Sequence, residues 1–132
     1  MQSGLLHLTR LYLSALDLPD PSGWDSDLPD LMSDDATWRH VHTHAGRLPI
    51  NCYAVVLDPL SEENNEQGIA SLADDIADIH RDVVVGLKYH AAGRLQEAVW
   101  EWKHSLYSHW GTHATIAMNV MHLWLSANSS AS

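Results

Sequence analysis

The chain has 132 residues, 45% of them hydrophobic, and seven Lys plus Arg against seventeen Asp plus Glu, a formal net charge of −10. That length closes one hydrophobic core without covalent staples, and the charge opposes nucleic acid and anionic membrane, which bind proteins through clustered basic groups. The lone Cys52 excludes a disulfide framework and a thiolate-rich zinc site, and with neither a secretory leader nor an apolar run near the roughly 20 residues of a membrane span a reducing cytoplasm is expected.

Residues 3–16 place Leu5, Leu8, Tyr12 and Leu16 near one helical face. Leu18-Pro19-Asp20-Pro21 ends that helix, because proline lacks an N–H and pushes its predecessor out of the α region. From Asp17 to Asp35 there are seven Asp and no basic residue, interleaved with Pro19, Pro21, Pro29 and Gly23. Charge repulsion and turn chemistry predict a solvated Asp/Pro-rich loop, and the spacing is not that of a calcium loop.

Ser33 before Asp34 and Asp35 suits the start of a second helix. It carries Trp38, Val41 and Ala45, with Leu48 following, and ends between Gly46 and Pro49. His40, His42 and His44 on it read as exposed surface histidines. Residues 50–57 are apolar and partly β-branched, but a lone strand has no partner, so an extended segment or single helical turn is expected before Asp58-Pro59. Cys52 there reads as a small core or boundary residue. Residues 61–68 form a polar loop.

Ser71-Leu72-Ala73-Asp74 resembles a capping box with Asp in place of Glu. Leu72, Ile76, Ile79, Val83 and Leu87 follow at helical spacing, and Ala92-Gly93 supplies the stop. A last helix from Arg94 to about Ala127 carries the stripe Leu95, Val99, Trp102, Leu106, Trp110, Ala117, Val120 and Trp124. Gly111 interrupts it, which predicts a bend or a close helix contact. Six Trp and no Phe put indole N–H groups in the core, where they need partners. The fold expected is all-α: a compact up-and-down bundle of about four helices in one domain over residues 1–127, with a disordered tail at 128–132.

On the last helix His104 and His122 point away from the stripe, while His109 and His113 lie one turn apart and flank Trp110. Histidines at i and i+4 can chelate one metal from a single face. Trp110-Gly111-Thr112 between them lacks the catalytic Glu of the helical metalloproteases. On the preceding helix Asp75, Asp78 and Asp82 stand at i, i+3 and i+7, and antiparallel packing brings that flank opposite the two histidines. Such a set suits zinc, iron or manganese, with Glu101 as a further carboxylate. The same residues, with Trp102 and Trp110, also suit a buried polar network, since Asp–His and Trp–Asp hydrogen bonds satisfy every member.

The run Ser71 to Asp82, the segment Glu97 to Trp102 with its Trp-Glu-Trp, and His109-Trp110-Gly111-Thr112-His113-Ala114 resemble one known family. Leu11-Tyr12, Leu18-Pro19, Tyr53 and Asp58-Pro59-Leu60 extend the likeness over most of the chain. The family is the small bacterial proteins grouped as DUF5063, a domain of unknown function. The resemblance implies a helical bundle and no assigned reaction, and the positions matching its pattern are Asp75, Asp78, Asp82, Glu101, His109, Trp110 and His113.

Two functions follow as expectations. One is a non-enzymatic interaction or accessory protein, associating with a protein partner or with itself and holding the Asp/His/Trp group as a network, with no cofactor. The other is a divalent-metal protein, hydrolytic in one form, using Asp75, Asp78, Asp82, His109 and His113. No nucleic acid and no membrane are expected as partners of either.

Overall fold

The computed structural model describes residues 1–21, 31 and 34–129. Helix α1 spans Gln2–Leu16 and α2 spans Asp35–Ala45; strands β1 (Cys52–Val56) and β2 (Gln67–Ser71) follow, then α3 (Leu72–Ala91) and α4 (Leu95–Ser105). A π-helical segment, Leu106–Trp110, runs from α4 directly into α5, Gly111–Asn128. The architecture is mostly helical with a small two-stranded sheet.

The sheet corrects the all-α expectation. β1 and β2 pair antiparallel, with Cys52 opposite Ser71 and Val56 opposite Gln67. The partner of β1 lies in what reads as the end of a polar loop joined to a helix cap, and a five-residue strand that short carries too little alternation to announce itself. Cys52 is exposed rather than a core or boundary residue.

β2 feeds straight into α3, and the junction explains why the helix starts there. The Ser71 hydroxyl accepts from the Asp74 N–H at 3.2 Å. Asn51, just before β1, accepts from the Ser71 hydroxyl and the Ala73 N–H through its side chain, and from the Leu72 N–H through its carbonyl. These bonds satisfy donors that a helix N-terminus otherwise leaves open. At the other end Gly93 adopts φ +77°, the left-handed stop expected after α3.

Helix α3 touches α2, α4 and α5, and α5 also packs on α1. The core joins Leu8 and Ala15 of α1 to Leu72 and Ile79 of α3, and to Leu106, Trp110, Ala114, Ala117 and Met121. Trp110 is fully buried and meets Tyr12 edge-to-face at 6.5 Å. Its indole N–H has no hydrogen-bond partner, unlike the expectation for a buried Trp. Trp102 donates to the Val83 carbonyl at 3.0 Å, and it fits because α3 carries Gly86, where a Cβ would stand 2.1 Å from the indole nitrogen.

Several expectations shift in detail. Leu16, Leu87 and Leu95 are exposed, Leu16 as the last residue of α1 and Leu95 as the first of α4. The α2 cap is Asp34, whose carboxylate accepts from the Thr37 N–H at 2.6 Å; Ser33 and most of the Asp/Pro-rich loop lie outside the described residues. α5 extends through Asn128, one residue into the expected tail, and residues 130–132 also lie outside. Among the described residues no helix is long and apolar enough to cross a membrane.

Candidate metal centre

The three aspartates of α3 and the two histidines of the last helical rod meet, as the antiparallel packing predicts. What the periodicity does not show is how His109 is aimed. It sits in the π segment, where the Gly111 N–H bonds the Leu106 carbonyl five residues back. A Cβ on Gly111 would stand 2.2 Å from that oxygen, so this wide turn requires glycine. Single π turns inside α-helices recur at functional sites.

Each histidine is held from behind. His109 Nδ1 lies 2.6 Å from Asp82 Oδ2, and His113 Nδ1 lies 2.6 Å from Asp75 Oδ1. The other oxygen of Asp75 accepts from the Tyr53 hydroxyl. Burial and that bond to Asp75 both push the Tyr53 hydroxyl pKa up, so it stays a proton donor. The two carboxylates favour the tautomer that donates Nδ1–H on each ring, which leaves the two Nε2 atoms, 3.2 Å apart, as acceptors.

Asp78 completes the convergence. Its Oδ1 accepts from the Trp38 indole at 2.8 Å and from Arg81 Nη2 at 3.2 Å. Its Oδ2 turns to the histidines, 3.6 Å from His113 Nε2 and 4.0 Å from His109 Nε2. One donor atom from each of Asp78, His109 and His113 therefore falls within 4.8 Å of the others. The side chains are 22%, 47% and 28% exposed, so one side opens to water.

Three electron-pair donors facing one another repel unless a cation lies among them. A proton can serve: the His113 pKa is raised, first by its bond to Asp75, against the opposing effect of burial, and then by the field of Asp75, Asp78 and Asp82.

The structure thus brings Asp78, His109 and His113 together and sets Asp75 and Asp82 one hydrogen bond behind the histidines. Glu101 lies on α4, and Trp102 and Trp110 are packing residues of the helix interfaces. Trp38, Arg81 and Tyr53 are members that sequence reasoning missed. Trp38 reads as one of the apolar residues of α2, and Tyr53 as part of the extended segment 50–57 and of the family likeness, so nothing in the spacing ties either to the aspartates and histidines. His42 is not a free surface histidine: its Nε2 meets Asp74 Oδ1 at 2.7 Å and its ring stacks on Trp38. His40 and His44 do remain exposed, side by side on α2.

The chain belongs to the family described as a domain of unknown function (DUF5063), whose profile matches residues 1–127. No curated protein and no solved structure matches it.

Proposed function

We propose that this protein binds one divalent transition metal at Asp78, His109 and His113 and leaves part of its coordination sphere open. The observation that carries the reading is the convergence of three lone-pair donors whose remaining polar atoms are already committed to other partners. The triangle of 3.2, 3.6 and 4.0 Å edges has a centre about 2.1 Å from each corner, which is the length of zinc–nitrogen and zinc–oxygen bonds. Calcium takes six to eight oxygens at longer distances, and two imidazoles do not suit it.

Asp75 and Asp82 then act as the carboxylates that fix the tautomer and orientation of ligating histidines, and Trp38 with Arg81 does the same for Asp78. Structural zinc sites have four protein ligands, whereas three protein ligands and an open position are the pattern of reactive ones. Two histidines and one carboxylate also suit ferrous iron. A bound water at the open position is acidified by the metal, which makes hydrolysis the simplest reaction available.

Elemental analysis of protein purified without a His tag or chelating resin tests this reading. About one zinc, iron or manganese per chain, lost in His113→Ala, is the expected result. Metal-free protein that still loses thermal stability in the variant would make the cluster a proton-bridged network.

That network belongs to the second reading, an interaction or accessory protein. It is favoured by exposed apolar side chains on and beside the hairpin: Leu57, Leu60 and Ile69 are 57%, 96% and 77% exposed. Its mark is a concentration-dependent oligomer or a reproducible protein partner; a strict monomer that captures nothing would exclude it.

A further inference from the structure

We infer that the open side of the metal position receives a singly charged oxyanion, a carboxylate, held between the metal and the Arg81 guanidinium; this rests on the metal reading above. Arg81 is placed for that task. Its Nη2 reaches Asp78 Oδ1 at 3.2 Å, the carboxylate whose other oxygen faces the metal position. Its guanidinium carbon lies 5.3 Å from the centre of the Trp38 ring, and the side chain is 38% exposed.

A guanidinium has five N–H donors in a fork that matches two oxygens of one anion. The bond to Asp78 uses one of them, from Nη2. Arg81 Nε is buried without a partner, so the donors that can meet a ligand are the remaining ones of the two Nη groups, on this partly exposed side chain. A cation held this tightly beside a ligand, with donors to spare, is an anion-binding group rather than a solubilising one.

Charge selects the class of anion. Asp75, Asp78 and Asp82 bring three negative charges, which Arg81 and one dication cancel. The loaded site is therefore close to neutral before any ligand arrives. A monoanion adds one charge that the metal and guanidinium share, whereas a phosphate dianion adds two within a chain of net charge −10. Arg–carboxylate pairing with one oxygen on the metal is the arrangement that balance favours.

The test uses the full chain loaded with cobalt(II), whose visible absorption reports the ligands on the metal, and acetate as the probe. Saturable change of the cobalt spectrum by acetate is expected, with the midpoint in Arg81→Gln raised about tenfold or more because the charge-assisted bonds are gone. Arg81→Lys keeps the charge without the fork and should fall between the two. An equal midpoint in Arg81→Gln, or no change in wild type that has bound cobalt, overturns the inference. A tighter response to phosphate than to acetate overturns the assignment of class. Loss of cobalt from both Arg81 variants would mean that Arg81 acts only by positioning Asp78, and that also overturns it. Wild type that takes up no cobalt fails the metal reading itself, and the absent cobalt spectrum makes that outcome separately visible.

Discussion

Gly111 donates its N–H to the carbonyl of Leu106, five residues back, and leaves no room for a side chain: a Cβ would approach that oxygen to 2.2 Å. The wider turn this permits sets His109 against Asp82 and His113. Gly111→Ala should therefore act in two ways at once. Forcing the turn to re-form as an ordinary α-helix should cost about 1–3 kcal/mol, the usual range for an added methylene in a packed interior. It should also misdirect His109 and weaken metal binding far more than a remote destabilisation would. Denaturant unfolding together with metal titration of the folded variant checks both; unchanged metal affinity would show that the π turn is incidental.

Removing a ligand and removing its support should differ in degree. Asp78→Ala and His109→Ala should each abolish stoichiometric metal. Asp82→Asn and Asp75→Asn, which leave the ligands in place, should weaken it about 10–100-fold. Competition with a coloured chelator gives the ranking, and equal loss from both groups would contradict the division into ligands and supporters.

Trp38→Phe keeps the ring over Arg81 and removes only the N–H that holds Asp78 Oδ1. A loss of about tenfold in metal affinity is expected. A cost to stability near 1 kcal/mol, the worth of one net hydrogen bond, should accompany it. Thermal melts with and without metal separate the two effects.

Protons and metal should compete, and the sign follows from His113, whose pKa is raised above the unfolded value of 6.5. In metal-free protein the protonated ring contributes stability that is fully present below about pH 6.5 and is lost as pH rises through the higher folded value. Metal instead needs the neutral ring. Melting temperatures recorded from pH 6 to pH 9 should therefore fall for apo protein across that window, while the gain from added metal grows. A gain independent of pH would argue against His113 as a ligand.

Gly86→Ala tests the packing alone. A Cβ there meets the Trp102 indole at 2.1 Å, and that indole is held by its bond to the Val83 carbonyl. Strain of about 1–3 kcal/mol is expected, seen as a lower denaturant midpoint with metal stoichiometry retained.

The helices were legible where the sequence repeats at 3.6 residues over several turns. Leu72, Ile76, Ile79 and Val83 marked α3, Ser71 marked its start, and Gly93 its end. The same periodicity placed Asp75, Asp78 and Asp82 on one flank of α3, and His109 and His113 on one flank of the last rod. Helical phase is a local property of the backbone, so residue spacing alone determines it.

Everything that depends on a second segment had to wait for the fold. The pairing of Cys52–Val56 with Gln67–Ser71 is a contact across a loop, and each strand is too short to imply the other. Which aspartate faces the Nε2 atoms of the two histidines and which two stand behind was undecidable from spacing, because all three share the flank. Only the packed structure decides it: the indole of Trp38 and the guanidinium of Arg81 occupy one oxygen of Asp78 and leave the other pointing at two imidazoles. A sequence records which donors and acceptors exist, and packing determines which are left without a partner.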